Sequence, residues 1–505
     1  MRQKTLSFLL GLGLSLGAWA QSPAPVTPTT PAPAVTAPAT PAAEPVAAVA
    51  EAAKEAPLTA EQTTEKIKNL EARLGGVTDN ADGGVFYWVS AGDTAWVLLC
   101  AALVLLMTLP GLALFYGGLV RKKNILSVLM QCLTACGIVS VFWVVCGYSL
   151  AFGEGNGLIG GFKWAMLTDL PAKTGYAATV PHLAFVVFQM MFAVITPALI
   201  AGAFAERMRF PAFCLFTLLW VAFIYCPIAH WVWSDSGFMS VWNANTGDKA
   251  AMFKAFDFAG GTVVHINAGV AALVCALYLG KRKGFPNRIS PPHNLPLAVV
   301  GACLLWVGWF GFNAGSSLAA NGLAAHAMLT THVATALAGM VWAGLDWMYH
   351  KKPTVLGMIS GAVAGLVAIT PACGFVTVKG ALIVGLCASI ASWFFVTIIK
   401  PKLNLDDTLD AFGVHGVSGI IGALLTGLLC SSVVNSALVP ADISIASQFV
   451  SQLKAVAITA SFTAVGTWII LVLVNCITKV RADEREETVG LDVSQHKESA
   501  YTVID

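Results

Sequence analysis

Two histidines lie inside long apolar stretches of the sequence. His265 follows Asp257 by eight residues, about 12 Å along a helix, and His415 stands at a matching place in a later stretch that begins near Asp410. An ionisable side chain in such surroundings is costly and usually faces a pore or a partner. Because imidazole exchanges a proton near neutral pH, the pair predicts a site that handles protons inside a membrane. One such histidine is explained equally well as an interhelical hydrogen-bonding group, and the matched pair is what favours a function.

Aromatic side chains form the second group that could bind a ligand: Phe188, Phe192, Trp233, Trp309, Phe310 and Phe312. A ring face attracts a desolvated cation by about 2 kcal/mol, so this group predicts a cation site at the mouth of a pore. The alternative is ordinary membrane usage, with Trp at the interface and Phe facing lipid. Spacing alone leaves both interpretations open.

The acidic residues near these groups are interpreted mainly as structural. Asp is favoured at helix N-caps, which is the role expected for Asp406 and Asp407. Asp257 is expected to cap its helix and also to orient the binding vestibule. Glu206, beside Arg207, and Asp346 are interpreted as members of interfacial ion pairs.

The elements that must position these side chains are membrane-spanning helices. The chain has 505 residues, of which 57% are hydrophobic and only 11% are charged, against roughly 25% charged in a soluble domain. A helix of about 20 apolar residues crosses the roughly 30 Å hydrocarbon core. Eleven stretches qualify: 94–120, 124–153, 182–205, 210–233, 258–280, 294–313, 323–345, 353–373, 380–399, 411–431 and 455–478. The predicted fold is therefore an all-α integral membrane protein with eleven transmembrane helices.

The N-terminal region predicts export of the N-terminus. Residues 1–20 combine Arg2 and Lys4 with an apolar run and the small-residue pattern of a signal peptide. Residues 21–90 are expected to form an exported tail, disordered in its Pro/Ala-rich part, with a short charged helix at 58–74. Residues 91–480 then form the eleven-helix domain, and 481–505 form a C-terminal tail.

Basic residues provide an independent test of orientation. An exported N-terminus and eleven spans place the C-terminal tail in the cytoplasm, so alternate loops from Arg121 onward are cytoplasmic. The loops predicted to be cytoplasmic contain most of the Lys and Arg residues considered: Arg121, Lys122, Lys123, Arg207, Arg209, Lys281, Arg282, Lys283, Arg288, Lys351, Lys352, Lys400, Lys402, Lys479, Arg481, Arg485 and Lys497. The opposite loops hold only Lys163, Lys173, Lys249, Lys254, Lys379 and Lys454. Because Lys and Arg concentrate on the cytoplasmic side, the two arguments agree on a multi-pass protein of the inner (plasma) membrane.

The span count also predicts an internal repeat. Five helices of each orientation plus one C-terminal helix would form a 5+5 inverted repeat around a central pore. The stretch Asp257-Phe-Ala-Gly-Gly-Thr-Val-Val-His265 has a short echo in Asp410-Ala-Phe-Gly-Val-His415. Glycines near both histidines are expected to let the two helices approach closely: Gly260, Gly261, Gly269, Gly413, Gly416 and Gly419.

Several classes of function are excluded or disfavoured. The composition excludes a soluble enzyme, and a formal net charge of +2 lacks the basic excess of a nucleic-acid binder. The cysteines form no zinc-type cluster, so neither a metal nor a cofactor is expected. No nucleophile, base and orienting group converge at a recognisable spacing, so an enzyme is disfavoured.

At the level of whole motifs, the chain resembles the ammonium transporters of the Amt/Mep/Rh family from about residue 91 to 505. The motifs are Pro110-Gly-Leu-Ala-Leu-Phe-Tyr-Gly-Gly118, Ala205-Glu-Arg-Met-Arg-Phe210, Asp257 to Gly269, Gly308-Trp-Phe-Gly-Phe-Asn-Ala-Gly-Ser316, Phe412-Gly-Val-His415-Gly and Gly490 to Tyr501. The stretch from Ser234 to Phe256 is longer than in bacterial members of the family.

The resemblance implies a role for each matching residue. Phe192, Trp233 and Ser316 match the external ammonium-recruitment site, with Asp257 stabilising it. Phe192 and Phe312 match the aromatic gate, with Phe188 and Gln189 one turn away. His265 and His415 match the pore histidines, with Trp309 on the wall. The resemblance also implies a homotrimer with one pore per subunit, transport of ammonium and methylammonium, and a PII-type signalling protein as partner of the tail.

Elementary chemistry explains why a cation site would precede a histidine pore. Ammonium and potassium have similar size and equal charge, but only ammonium can leave a proton behind and cross an apolar passage as a neutral molecule. His265 and His415 would relay the proton separately. Two alternatives stay open: a neutral gas pore of the Rh kind, and a sensor that signals through residues 480–505.

Overall fold

The computed structural model describes residue 59 and residues 89–247, 250–287 and 291–501. The predicted signal peptide and nearly all of the predicted exported tail, including the helix at 58–74, lie outside these residues. The described part from residue 89 onward is mainly helical, with one small hairpin of strands β1 (Lys173–Thr174) and β2 (Ala177–Pro181) between the second and third helices.

Eleven apolar helices follow one another along the described residues, as predicted. They are α1 (Ala91–Leu119), α2 (Ile125–Phe152), α3 (His182–Phe204), α4 (Phe210–Trp233), α5 (Gly261–Leu279), α6 (Leu295–Gly315), α7 (Gly322–His350), α8 (Val355–Ile369), α9 (Val378–Lys402), α10 (Phe412–Leu429) and α11 (Ile445–Ile477). Ten of them are long and apolar enough to cross a membrane. The eighth, α8, is shorter: it has 15 residues and is about 22 Å long. It ends at Ile369 because Pro371 follows, and the residue before a proline disfavours helical geometry.

The last span begins ten residues earlier than the sequence predicts. The prediction started at 455 because Lys454 interrupts the apolar pattern, but helix α11 begins at Ile445, after the N-cap Ser444. Its first turns are held by buried amides rather than by apolar contacts alone. The Gln452 Oε1 accepts a hydrogen bond from the Phe256 N–H (2.7 Å), and its Nε2 donates to the carbonyls of Phe256 (2.8 Å) and Ala423 (2.9 Å).

Helix α5 packs on both α3 and α10. Helix α1 packs on α6, α7 packs on α8 and α9, and α11 packs on α10 and α5. A Cβ on Gly269 of α5 would lie 2.3 Å from the backbone nitrogen of Gly416 in α10. Close approach at glycine, predicted from the sequence, is therefore confirmed at this crossing.

Several helices contain π-helical turns, which often occur at functional sites. Two of these turns begin the helices that carry the histidines: Gly261–Ile266 opens α5 and Phe412–Gly416 opens α10. Each histidine lies within its π turn. The two helices thus share a local feature that the sequence echo does not show.

The cap that corresponds to Asp257 is Asp407 and not Asp410. The Asp257 carboxylate accepts hydrogen bonds from the N–H groups at the start of α5, from Gly260 to Val263, at 2.6–3.1 Å. The Asp407 carboxylate does the same for the start of α10, from Ala411 to Gly413, at 2.9–3.3 Å. Asp407 precedes His415 by eight residues, the same interval as Asp257 to His265, whereas Asp410 pairs with Lys400. The predicted echo was therefore shifted by three residues.

Three other acidic residues also differ from the sequence interpretation. Asp406 is not a cap, because its carboxylate binds the Arg282 guanidinium (2.8 Å). Glu206 pairs with Arg121 (2.9 Å) and Arg282 (3.2 Å) rather than with its neighbour Arg207. Asp346 accepts hydrogen bonds from Trp393 Nε1 (2.9 Å) and Thr354 Oγ1 (2.5 Å), both neutral donors.

Candidate functional site

A small cavity opens at the ends of α3, α4 and α6, where the sequence predicts a cation site. The centre of a water-sized molecule can move within about 30 Å³ of this cavity. That space is enough for a small ligand. The lining consists of Phe152, Tyr176, Phe185, Gln189, Phe192, Trp233, Trp242, Phe258, Ser316 and Leu318. Most of these side chains are aromatic, and none carries a formal charge.

Three of the predicted binding residues line this cavity. Phe192 on α3 meets Trp233 on α4 edge to face, with ring centroids 5.7 Å apart. Trp233 is fixed because its indole N–H donates to the Asp257 carbonyl oxygen (3.0 Å). Ser316, at the end of α6, donates its hydroxyl proton to the Phe312 carbonyl (2.8 Å), so the lone pairs of its oxygen remain for another donor.

Asp257 supports the cavity without lining it. Its carboxylate is used by the backbone at the start of α5, and its carbonyl oxygen holds Trp233. Gly260 follows in the left-handed region, with φ of 111°, where a Cβ would lie 3.3 Å from the Trp233 ring. The chain therefore turns into α5 directly behind the indole.

Below the cavity the rings of Phe192 and Phe312 are packed against each other. Their centroids are 4.3 Å apart, and the Phe188 ring meets Phe192 edge to face at 4.9 Å. Both Phe192 and Phe312 are buried. A hydrated cation does not fit between rings at this separation, so passage requires the rings to move.

His265 and His415 lie beyond the phenylalanine pair. Their ring centroids are 5.5 Å apart and their planes differ by 17°, while Phe312 lies 5.8 Å from His265. The Trp309 ring stacks beside His265 at 5.2 Å, held by a hydrogen bond from its N–H to Thr370 Oγ1 (2.8 Å). The prediction that the two imidazoles come together is confirmed.

The ring nitrogens of the two histidines are buried and largely unpaired. Among the described residues no hydrogen-bond partner lies on either ring nitrogen of His265 or on Nδ1 of His415. A buried polar atom without a partner is uncommon and requires an explanation. A histidine that only joined two helices would use these atoms, so the two imidazoles remain available to a small polar molecule.

One predicted aromatic lies elsewhere. Phe310 turns away from the cavity and contacts His332 on α7, with ring centroids 6.1 Å apart. On a helix, Phe310 lies on a different face from Trp309 and Phe312, which are three residues apart and share one side.

Several lining residues are not among those that the sequence pattern predicts. Tyr176 and Trp242 belong to the loops after α2 and α4, and Phe258 precedes α5. Loop residues carry no helical periodicity, so only an excess of aromatic residues in these loops could have identified them.

Comparisons with known proteins identify the family that the chain resembles. Residues 95–501 match the model of the Ammonium Transporter Family. The chain is 48% identical over 415 residues to an ammonium transporter of Bacillus subtilis, covering 81% of this chain and 98% of the relative. It is 46% identical over 421 residues to an ammonium transporter of Aquifex aeolicus, covering 82% and 94%.

Solved structures show the same architecture. Mep2 of Saccharomyces cerevisiae superposes with a TM-score of 0.71 at 34% identity, covering 78% of this chain and 88% of that one. Candida albicans Mep2 gives 0.73 at 32% identity, covering 82% and 94%. A sensor Amt protein gives 0.71 at 31% identity, covering 80% and 98%.

Proposed function

The chain belongs to the ammonium transporter family, and from this membership and the site geometry we infer how it carries ammonium. It is a multi-pass membrane protein and a transporter rather than an enzyme. We propose that the cavity binds the ammonium ion, that the ion gives up a proton to His265, which lies next to Phe312 of the gate, and that ammonia then passes between His265 and His415. The observation that supports this proposal is the order of the groups: an aromatic cavity, the packed rings of Phe192 and Phe312, and two imidazoles with unpaired ring nitrogens.

Recruitment is assigned to Phe192, Trp233 and Ser316, with Asp257 holding Trp233. The ring faces attract the cation, by about 2 kcal/mol when it is desolvated. Ser316 Oγ, whose proton is already donated to Phe312, accepts a hydrogen bond from an ammonium N–H. A neutral solute would gain little from such a cavity.

Selection against metal cations follows at the gate of Phe192 and Phe312. Moving an unpaired charge from water into an apolar passage costs tens of kcal/mol by Born solvation. Ammonium avoids this cost by giving up a proton, while potassium and sodium cannot. The ability of ammonium to lose a proton therefore separates it from potassium and sodium, which ion size alone would not do.

His265 and His415 are proposed to accept and relay the proton that ammonium leaves. Their rings lie close together, and their unpaired nitrogens can each donate or accept according to tautomer. Proton and ammonia then reach the other side together, so one positive charge moves with each molecule transported.

The test is electrogenic transport by the purified protein in liposomes on a solid-supported membrane. The wild type should give a current after an ammonium or methylammonium jump, and the His265→Leu/His415→Leu double variant should lose it. His332→Leu is the matched control, because this exposed histidine of α7 lies outside the pore. An unchanged current in the double variant contradicts the proton relay.

The same measurement separates the proposal from a neutral gas pore of the Rh kind. Such a pore would pass ammonia without net charge, so an ammonium jump would change the pH inside the liposome but give no current. The aromatic cavity favours the electrogenic alternative, because only a cation gains from the ring faces.

A sensor is the second candidate, supported by the similarity to a sensor Amt protein. The tail also docks on the first turns of α4 and α2: Gln495 Oε1 accepts from the Phe210 N–H (2.7 Å), and Asp492 from the Ser127 N–H (2.8 Å). A sensor that only binds ammonium would show neither current nor uptake in liposomes. Transport by the purified protein would exclude that interpretation.

The assembly and surroundings of the protein complete the proposal. We place the protein in the inner (plasma) membrane as a homotrimer, with residues 21–90 outside after removal of a signal peptide at 1–20. Residues 91–480 then form the transporter domain. Residues 481–505 lie in the cytoplasm, where a PII-type protein would bind them. Native mass spectrometry of the purified protein should give three times the monomer mass.

A further inference from the structure

Two aromatic residues from different loops stand at the entrance of the cavity, outside the residues already assigned to recruitment. Tyr176 lies between the strands of the β1–β2 hairpin, and Trp242 lies in the loop between α4 and α5. Both line the same cavity as Phe192, Trp233 and Ser316. Trp242 belongs to the long stretch from Ser234 to Phe256 that joins α4 to α5.

Tyr176 is a fixed wall of the entrance. Its ring stacks on Phe185 with centroids 5.2 Å apart and planes within 9°, and it meets Phe152 edge to face at 5.3 Å. Its hydroxyl donates to the Phe152 carbonyl (3.1 Å) and accepts from the Asp235 N–H (3.3 Å). Burial raises the pKa of Tyr176 and the nearby Asp235 raises it further, so the hydroxyl stays neutral.

Trp242 is the outer and more accessible ring. Its side chain is 43% exposed, while the preceding Val241 is buried against Phe256 and Phe375. The backbone N–H of Trp242 donates to Ser240 Oγ (3.1 Å), and Ser240 forms a β-bridge with Ala255. The backbone at Trp242 is therefore anchored while its indole stays accessible from outside the cavity.

We infer that Trp242, backed by the fixed wall of Tyr176, forms an outer subsite that captures ammonium and small alkylammonium ions before they reach Phe192, Trp233 and Ser316. The inference rests on the proposed function and adds a residue that raises the affinity for the same cation. A ring face attracts a cation even at an exposed site, at a strength that corresponds to about a two- to five-fold change in affinity. Trp242 therefore acts on KM, while the proton transfer at the histidines sets the maximal current.

Currents measured across a range of ammonium and methylammonium concentrations test the subsite. Trp242→Leu, which keeps apolar bulk but has no ring, should raise KM about two- to five-fold and leave the maximal current unchanged. Trp242→Phe should restore KM to near the wild-type value. Met252→Ala is the matched control, because Met252 is 78% exposed on the same loop but does not line the cavity.

The outcomes distinguish the subsite from the proposed function. An unchanged KM in Trp242→Leu overturns the subsite, as does an equal rise in Met252→Ala, which would assign the effect to the loop. A Trp242→Phe variant that behaves as Trp242→Leu also overturns it, because the effect then does not depend on an aromatic ring. Failure of the wild type to give any current would instead contradict the proposed function.

Discussion

At the scale of single residues, the acidic groups differ in what they bind. Asp257 and Asp407 accept hydrogen bonds from backbone N–H groups at the start of α5 and α10. Glu206 and Asp406 bind arginine side chains instead, although both are buried. Sequence context did not separate the two uses, because an Asp before a helix can cap it or reach a distant cation.

The buried ion cluster of Glu206, Arg121, Arg282 and Asp406 joins three loops and the backbone before α10. Burial by itself raises the pKa of Glu206, but the charges of Arg121 and Arg282 outweigh it and hold the pKa below its usual value. Burial acts in the same direction on Asp406, and Arg282 and Arg207 lower its pKa overall. Both carboxylates therefore stabilise the fold in the ionised form.

The first prediction concerns the acid stability of this cluster. A carboxylate whose pKa is lowered by folding contributes stability above its unfolded pKa of about 4 and loses it as the pH falls through the folded value. The Tm of the protein in detergent should therefore drop below about pH 4. Asp406→Asn should lower the Tm already at pH 7, because removal of one partner of a buried pair costs about 3–5 kcal/mol.

Melting curves at pH 7 and in the acid range provide the measurement. Asp406→Asn should also show a smaller drop in Tm on acidification than the wild type, since one of the titrating groups is gone. Asp442→Asn, at an exposed position of the loop between α10 and α11, is the control and should melt as the wild type does at pH 7. Equal melting of Asp406→Asn and wild type at pH 7 would show that the cluster contributes no stability.

At the scale of elements, the crossing of α5 and α10 determines where the histidines lie. Each helix begins with a capped π turn, and the two backbones meet at Gly269 and Gly416. Gly269 follows His265 by four residues and so lies on the same face of α5. The distance between the two imidazoles therefore depends on how closely these helices approach.

The second prediction enlarges one residue at this crossing. A Cβ at Gly269 would lie 2.3 Å from the backbone of Gly416, which cannot move aside as a flexible side chain can. Gly269→Ala should therefore destabilise the protein by about 1–3 kcal/mol and separate the histidines, with reduced ammonium current. Gly344→Ala on α7 is the control, since a Cβ there has open space around it.

Thermal unfolding and current are measured on both variants. Gly344→Ala should be neutral or slightly stabilising, because alanine favours a helix by up to about 1 kcal/mol over glycine. If Gly269→Ala kept both the Tm and the current of the wild type, the close approach would not be required for transport.

At the scale of the whole molecule, the C-terminal tail contacts the start of α2 and the end of α5. The Arg481 guanidinium donates to the Leu279 carbonyl (2.6 Å), and Leu491 donates its N–H to Asn124 Oδ1 (2.8 Å). Glu487 and Asp492 are buried, although the sequence between 481 and 487 is rich in charge. This tail is therefore not a freely solvated terminus up to residue 501.

The third prediction concerns the orientation of the chain. The distribution of Lys and Arg places the tail inside and the loop between α4 and α5 outside. Green fluorescent protein fused after residue 505 should fluoresce, and alkaline phosphatase fused after residue 247 should be active. The exchanged fusions should be inactive, and the reverse pattern in both would contradict the proposed topology.

The sequence by itself determined the eleven apolar helices, because roughly 30 Å of hydrocarbon imposes a length on every span and excludes charge from its interior. It also identified the candidate site residues, since ionisable and aromatic groups are conspicuous in such surroundings. Only the tertiary structure decided which groups meet: that Asp407 rather than Asp410 caps α10, that Arg282 binds Glu206 and Asp406, and that Tyr176 and Trp242 stand at the entrance. These contacts join residues from separate loops and helices, and no local periodicity encodes a distance between segments far apart in the chain.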